Sequence, residues 1–490
     1  MRNLKIGGLF GYNQVYRFLR FLSFLLSELM SQLQHSNSKS EILWYGRSMY
    51  TPANLTLQAT MQRFRRRWST LPDHRKPNNN QRYTIADGAL AAFSVFFMQS
   101  PSFLAHQRLL QSRKGGSNAH SLFQVREIPS DPQIRNLLDP LSETEFADDF
   151  WYIVEELRQQ QQLGRFRNEL DTYAIALDGL QFFSSEKISC PQCQQRTDRN
   201  GVEHFYHSAV TPVLVKPKTP QVLPLPPEFI VPQDGQEKQD CERQAAKRWL
   251  ERHHGHFAAQ TVTYLGDDLY ANQPMCQLVA ETYQQLFIFV CKPEAHESLY
   301  EWLSFLDKNG AVETVTQRHW NGKRGELWTY RFAHQVPLRH GKETISVNWF
   351  ELTITDEKTG KTIYHNGFIT NHAVSADNVA PLAEVGRTRW KIENENNNTL
   401  KTKGYHFEHN FGHGSRGLAN VLATLNILAF LLHTVQELLT PAYQRLREAL
   451  GARKTFFNDL RALTRYLVFD SWDDLFRFME EGLELTSVPP

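Results

Sequence analysis

Short apolar strands that run directly into acidic residues are the feature that most constrains the fold of this chain. "YAIALDG" starts at Tyr173 and ends next to Asp178, and "TVTYLGDD" starts at Thr261 and ends at Asp267 and Asp268. Between them lie two further predicted strand regions, "HFYHSAVTPVLVKP" and "QVLPLPPEFIVP", and then an amphipathic helix, "KQDCERQAAKRWLERHH". A helix and the strand "LFIFVCK" continue the alternation. The pattern predicts an α/β fold with a mixed sheet flanked by helices.

The segments on either side of this alternating block have different patterns. Residues 1–165 are predicted to form an all-helical N-terminal region, in which DNA-end binding is one candidate role. Residues 310–372 contain only strand patterns separated by the turn sequences "NGKRG" and "EKTGK", which predicts an inserted β-subdomain. Residues 373–440 return to helix. The predicted core therefore consists of 166–309 and 373–440, and 441–490 form a helical C-terminal region.

Length, charge and cysteine content limit the class of protein. The 490 residues are too many for one ordinary core, and 41% hydrophobic residues argue against disorder. A net charge of +2 gives no global basic field, so nucleic-acid binding would depend on local clusters such as "RFRRRW" and "RQAAKRWLER". Of the five cysteines only Cys190 and Cys193 are close in sequence, which indicates a reducing cytoplasm.

Two apolar segments raise the question of a membrane. The first, "LFGYNQVYRFLRFLSFLLSELM", is interrupted by Arg17 and Arg20 and has no small-residue cleavage site, which favours an amphipathic helix over a membrane span or a signal peptide. The second, "GLANVLATLNILAFLLHTVQELL", contains a histidine and two asparagines, which favour a buried core helix. We therefore expect a cytoplasmic protein with no membrane partner.

Three acidic residues far apart in the sequence form the candidate catalytic group. If the first and fourth predicted strands are neighbours, Asp178 and Asp267 emerge side by side, and the helix "GRTRWKIENENNNTLK" can bring Glu393 to them, with Glu395 as a competing acid. Converging carboxylates repel one another unless a cation neutralises them, and hard oxygen donors suit Mg²⁺ or Mn²⁺. Two such ions can hold the attacking and leaving oxygens of a displacement at phosphorus, which predicts chemistry on a nucleic-acid backbone.

The stretches "ALDGLQFFSSEKISCPQC", "QDCERQAAKR", "YLGDDLYANQP" and "RTRWKIENENNNTLKTKGYHFEHNFGHG" resemble those of DDE-type insertion-sequence transposases. The resemblance spans roughly residues 87–439. It implies a ribonuclease-H-like catalytic core with a β-subdomain inserted before the last acid. It makes Asp178, Asp267 and Glu393 the catalytic acids, with Asp178 bridging two Mg²⁺ or Mn²⁺ ions.

The activity that this resemblance implies is DNA transposition. Endonuclease cleavage at the ends of the insertion element exposes a 3′-hydroxyl, which is then transferred into target DNA in a recombination reaction. The partners are therefore the element ends and the target DNA, the expected active complex is a homodimer, and the expected location is the cytoplasm in association with the nucleoid.

Basic residues around the third acid resemble the DNA contacts of that family. Arg389 and Lys401 are similar to its phosphate contacts, and Arg387 is a further candidate for DNA binding. Gly386 stands where many members have a tyrosine, and Lys401 comes one position later than in their signature. The same helix carries Trp390, which is expected to pack on the sheet rather than act as a stacking surface.

The asparagine run Asn396–Asn398 extends the same helix. Side-chain amides can donate and accept hydrogen bonds with sugars and bases, so these residues are expected to contact a bent DNA strand.

A second candidate metal is zinc. The "CPQC" motif and the following "HFYH" provide four soft ligands with spacing suited to a tetrahedral site: Cys190, Cys193, His204 and His207. The histidines lie in a predicted strand, where their odd spacing directs them to opposite faces unless a bulge or strand end intervenes. The alternative is a thiol pair in a tight turn without metal. Three further histidines are expected to shape a turn and touch phosphate rather than bind metal: His406, His409 and His413.

Two other functions are compatible with the same residues. A DNA-binding protein could retain the fold of a transposase and lose catalysis, but the three intact acids argue against it. A nuclease could use the same metals and cleave without strand transfer. Joining of precleaved ends that carry free 3′-hydroxyls distinguishes a transposase from such a nuclease.

Overall fold

The structure is a computed structural model and describes residues 53–76, 81–232 and 240–485. The predicted N-terminal amphipathic helix falls within residues 1–52 and lies outside the described residues. The described chain is mixed α/β, with a helical region leading into a large mixed sheet flanked by helices. The predicted α/β class is therefore confirmed.

Helices dominate both ends of the described chain. The α-helices are α1 (Leu57–Trp68), α2 (Ile85–Phe97), α3 (Phe103–Leu110), α4 (Arg113–Phe123), α5 (Asp131–Leu138), α6 (Ala147–Gln159), α7 (Glu242–His253), α8 (Gln273–Gln277), α9 (Glu297–Lys308), α10 (Val379–Arg387), α11 (Asn398–Thr402), α12 (Leu418–Leu439), α13 (Pro441–Leu450), α14 (Arg453–Tyr466) and α15 (Trp472–Gly482). Two π-helical turns interrupt this regular pattern at Leu278–Thr282 and Ile392–Asn397.

The strands are β1 (Tyr173–Ala176), β2 (Gly179–Ser185), β3 (Gln194–Thr197), β4 (Glu203–Val210), β5 (Val213–Val215), β6 (Leu223–Pro224), β7 (Glu228–Ile230), β8 (Val262–Gly266), β9 (Leu286–Val290), β10 (Glu313–Trp320), β11 (Gly325–Pro337), β12 (Ser346–Asp356) and β13 (Thr362–Thr370). Nine of them form one sheet in the order β10-β11-β12-β13-β9-β8-β1-β5-β6. Only the β1–β8 and β8–β9 pairs in it are parallel. A second sheet contains β2, β4 and β3, with β7 paired to β4.

Three segments of chain bend from one sheet into the other. The bends separate β1 from β2, β4 from β5, and β6 from β7. The predicted strand "HFYHSAVTPVLVKP" is therefore two strands, and β2 was not predicted. Between β4 and β5, Pro212 has no N–H for a continuous ladder, and the N–H of Thr211 donates to the carbonyl oxygen of Asp178 at 3.0 Å. Asp178 consequently lies at the junction of the two sheets.

The strands of the predicted β-subdomain belong to the main sheet. Strand β13 pairs antiparallel with β9, with Phe368 opposite Val290 and Ile369 opposite Phe289, so β10 to β13 extend the main sheet. Strand β9 is apolar along its length and mostly buried. It pairs with β8 along one edge, and β13 provides hydrogen-bond partners for the backbone groups of its other edge.

Helix α12 is the centre of the helical layer. In the described part of the chain it is the one helix long and apolar enough to cross a membrane by length and composition, and its most apolar window is 100% buried in the protein. Two of its polar side chains contact Tyr405: Nδ1 of His433 lies 2.7 Å from the hydroxyl of Tyr405, and Asn426 donates to the Tyr405 carbonyl at 2.9 Å. The helix is therefore a core helix, as predicted from these polar residues.

Candidate functional site

Two predicted acids leave adjacent strands at the same level. Strand β1 pairs in parallel with β8, with Ala176 opposite Leu265, and the N–H of Leu177 donates to the Leu265 carbonyl at 2.8 Å. The same register places Asp178 opposite Asp267. Both residues therefore emerge at the carboxyl edge of two neighbouring parallel strands, where side chains from separate strands meet.

Asp178 lies in a strongly negative environment. Burial, together with the negative charges of Glu242, Glu393 and Asp267, raises the pKa of Asp178 to about 7, and the Arg389 guanidinium acts in the opposite direction. Glu393 thus lies near enough to the strand ends for its negative charge to raise the pKa of Asp178. The local excess of carboxylates would attract a cation.

The asparagine run attaches the helical segment of Glu393 to the strand that carries Asp178. The side-chain N–H of Asn397 donates to Oδ2 of Asp178 at 3.1 Å, and its Oδ1 accepts hydrogen bonds from Thr211 at 3.0 Å and Asn396 at 2.9 Å. Asn396 and Asn397 are buried, so the prediction that they contact DNA is wrong. These amide hydrogen bonds lie inside the protein and hold the π-helical turn against the sheet junction.

The two competing acids of this segment have different surroundings. The Glu393 carboxylate is half exposed and accepts a hydrogen bond from Arg389 at 2.5 Å. Glu395 acts electrostatically on Lys391, whose ammonium group donates to the Thr219 carbonyl at 2.7 Å. The pKa of Asp178 responds to Glu393, so Glu393 is the acid on the side of the strand ends.

The neighbouring acid Asp268 has a separate structural role. Its Oδ1 accepts a hydrogen bond from the N–H of Lys292 at 2.7 Å and lies 3.3 Å from His296. Asp268 therefore stabilises the loop after β9. Asp267 caps its own turn, because its Oδ1 accepts from the N–H of Leu269 at 2.8 Å.

Glu242, at the start of α7, is a fourth carboxylate that the sequence analysis missed as a site residue. The Tyr270 hydroxyl donates to its Oε1 at 2.9 Å, and burial together with the charge of Asp267 raises its pKa. A Cβ atom on Gly179 would overlap the Glu242 carboxylate, so the glycine after Asp178 is required for this approach. That "DG" pair was the available sequence signal, but Glu242 itself resembles any charged residue at a helix start.

The acidic residues do not form a closed metal cage. Within the described ranges, the group of three or more cysteine, histidine or acidic side chains identified as able to hold an ion is Cys190, Cys193, His207 and His413, not the acids. A closed cage is not required for Mg²⁺, which proteins commonly hold through one or two carboxylates together with substrate phosphates. Asp178 and Asp267 offer carboxylate oxygens at the ends of two paired strands, and the charge of Glu393 acts on Asp178.

The predicted DNA-binding cations have intramolecular partners. The Arg387 guanidinium lies 5.0 Å from the ring centroid of Trp328 and 4.6 Å from that of Tyr364, so it packs between α10 and the strands β11 and β13. Lys401 forms an ion pair with Glu408 at 2.7 Å. Arg389 lies close to the acids, since it pairs with Glu393 and lowers the pKa of Asp178.

Close packing of α10 accounts for the glycine at position 386. A Cβ atom on Gly386 would lie 2.9 Å from Cγ2 of Ile288 and 3.2 Å from the Phe368 ring. The helix therefore lies directly on β9 and β13, which leaves no room for a large side chain there.

The environment of the Trp390 side chain differs from the predicted one. Its residue surface is 46% exposed, so the expectation that it packs in the core is wrong. The ammonium group of Lys391 lies 5.1 Å from its ring centroid. An exposed indole consequently lies on the segment that carries Arg389 and Glu393.

Most arginines of the basic cluster "RFRRRW" in α1 are engaged in contacts within the protein. Arg65 pairs with Asp87 at 2.5 Å, Arg67 pairs with Asp148 at 3.2 Å, and the Arg63 guanidinium stacks 3.6 Å from the ring centroid of Tyr152. These contacts stabilise the helical region and leave little of this cluster for DNA.

The predicted zinc ligands are only partly brought together. Cys190, Cys193 and His207 converge, but Nε2 of His204 lies 3.6 Å from Asp198 and the residue is not in the cluster. The strand spacing accounts for this, because positions 204 and 207 of β4 face opposite sides. His413 joins the cluster instead, so its predicted role as a turn residue was incomplete.

Compared with known proteins, the chain matches no protein-family model and no curated protein. Its function is therefore inferred from the residues of the site and their geometry.

Proposed function

We propose that this protein is a metal-dependent transposase that cleaves DNA at the ends of an insertion element and joins the resulting 3′-hydroxyl to target DNA. The observation that carries the proposal is the in-register exit of Asp178 and Asp267 from parallel strands, with the Glu393 segment attached to Asp178 through Asn397. The sheet order β6-β5-β1-β8-β9, with α7 between β7 and β8, supports a ribonuclease-H-like core.

In this proposal the three acids have distinct roles. Asp178 and Asp267 would hold Mg²⁺ or Mn²⁺ with Glu393 as the third ligand, and ions bound there would polarise the scissile phosphodiester and lower the pKa of water. Asn397 fixes the orientation of the Asp178 carboxylate. Glu242 adds negative charge next to Asp178, which strengthens the attraction of the site for cations.

Groups on the Glu393 segment and on the helix that follows it are suited to binding DNA. The Arg389 guanidinium can exchange its contact with Glu393 for a contact with a DNA phosphate. Lys401 can likewise exchange its ion pair with Glu408 for a contact with a DNA phosphate. The exposed Trp390 ring offers a stacking surface for an unpaired base. Two element ends must be processed together, so we propose that the active complex is a homodimer bound to element and target DNA in the nucleoid.

The test uses a supercoiled donor plasmid that carries the coding sequence with its natural flanking DNA. We expect the full chain to cleave the plasmid at two fixed flanking positions when Mg²⁺ or Mn²⁺ is added. Precleaved ends with free 3′-hydroxyls should be joined to a second plasmid. Products are mapped by sequencing of the junctions.

The cleavage assay and the joining assay together distinguish a transposase from the two alternative functions. Cleavage without joining of precleaved ends would identify a nuclease. Binding of the flanking DNA without cleavage or joining would indicate a protein that has lost catalysis. A protein that neither binds nor cleaves this DNA would refute all three functions.

A further inference from the structure

We infer that Cys190, Cys193, His207 and His413 form a structural zinc site. The inference is independent of the proposed DNA chemistry, because none of these side chains belongs to the acidic group. Their ligand atoms all lie within 4.8 Å of one another. Cys193 and His207 are buried, and Cys190 and His413 are partly buried.

Four of the six distances between the ligand atoms are close to those of tetrahedral zinc. The two Sγ atoms are 3.8 Å apart, His207 Nε2 lies 3.4 Å from each of them, and His413 Nε2 lies 3.1 Å from Sγ of Cys193. Zinc bonds of about 2.3 Å to sulfur and about 2.0–2.1 Å to nitrogen give tetrahedral edges of roughly 3.3–3.8 Å. An ion can therefore occupy the centre of the cluster with small adjustments of its ligands.

The local fold places each ligand without long flexible connections. Cys190 and Cys193 span a tight turn in which the N–H of Cys193 donates to the Cys190 carbonyl at 3.0 Å, and Pro191 favours that turn at its second position. His207 projects from β4 next to this turn. His413 comes from the loop between α11 and α12.

Four protein ligands leave no open position for a substrate, which is the pattern of a structural rather than a catalytic zinc site. The site would connect two distant parts of the chain. Cys190 and Cys193 follow β2, which begins directly after Asp178, and His413 lies in the loop that follows the segment of Glu393. Zinc would thus fix the loop after the third acid to the hairpin after the first.

The first test is the metal content of the full chain purified after expression with added zinc. We expect about one zinc ion per chain by elemental mass spectrometry. His413→Gln and Cys190→Ser should lose most of it. His204→Gln is the matched control, because it changes the other histidine of the same strand and should retain the wild-type zinc content.

The second test keeps the inference falsifiable if the variants fold poorly. X-ray absorption at the zinc edge of the wild-type protein should show two sulfur neighbours at about 2.3 Å and two nitrogen neighbours at about 2.0–2.1 Å. Zinc-free wild-type protein, a Cys190–Cys193 disulfide in the purified chain, a shell without sulfur, or full zinc content in folded His413→Gln would each overturn the assignment.

Discussion

Asp178→Asn is expected to lower the rate of donor-DNA cleavage by more than about 100-fold while making the cation-free protein more stable near pH 8. Changes to groups that only support a metal ligand already cost about 10–100-fold, so loss of the ligand itself should cost at least as much. The stability gain arises because burial and negative neighbours raise the pKa of Asp178 from 3.8 to about 7.

The direction of the pH effect follows from that raised pKa. The folded state binds the Asp178 proton more tightly than the unfolded state, so ionisation costs stability as the pH rises from about 4 to about 7. Above this range the cost is complete, and a three-unit shift corresponds to at most about 4 kcal/mol. Asparagine keeps the shape and can still accept the hydrogen bond of Asn397, but it has no charge to bury.

Chemical denaturation without divalent ions, carried out near pH 8 and near pH 4, measures this difference. The variant should be the more stable protein near pH 8, and the two should converge near pH 4. A variant that is less stable near pH 8, or one that cleaves DNA at the wild-type rate, would contradict the assignment of Asp178.

Glu393→Gln is expected to reduce cleavage by more than about 100-fold, whereas Glu395→Gln should change it by less than about threefold. Glu393 influences the pKa of Asp178 and pairs with Arg389, and Glu395 acts on Lys391 away from the strand ends. The two substitutions are chemically identical and lie on the same short segment. Each therefore controls for the effect of the other on local folding.

Initial rates of supercoiled-donor cleavage at saturating Mn²⁺, with thermal melting to verify folding, provide the comparison. Both variants should melt close to the wild type, because the Glu393 side chain is half exposed and its ion pair contributes about 0.5 kcal/mol or less. An equal loss of activity in both variants, or a larger loss in Glu395→Gln, would show that the third acid is wrongly assigned.

The sequence was most informative where local patterns determine structure. Buried strands that end in acids predicted β1 and β8 and the side-by-side exit of Asp178 and Asp267, because residues beyond paired parallel strands leave at one edge. The junction of the two sheets was harder to predict from the sequence. Strand β2 follows β1 almost directly, so its sequence "GLQFFSS" was not recognised as a separate strand, although half-buried and buried positions alternate along its first half.

Residues that depend on long-range packing could not be predicted. His413 reaches Cys193 across 220 positions of sequence, and no local spacing signals that contact. The asparagine run was interpreted as a DNA contact because amides can hydrogen-bond with sugars and bases, but the partners of Asn397 are Thr211 and Asp178. Trp390 was expected to pack on the sheet, but the structure leaves its residue surface 46% exposed.

The central claim is that Asp178, Asp267 and Glu393 bind divalent ions where a DNA phosphate is cleaved. Its most direct test is a crystal structure of the protein with a precleaved element end, soaked with Mn²⁺ and measured for anomalous scattering. We expect an anomalous peak within coordination distance of carboxylate oxygens of both Asp178 and Asp267, with Glu393 turned toward the same site. Manganese bound elsewhere, with no peak at this edge of the sheet, would contradict it.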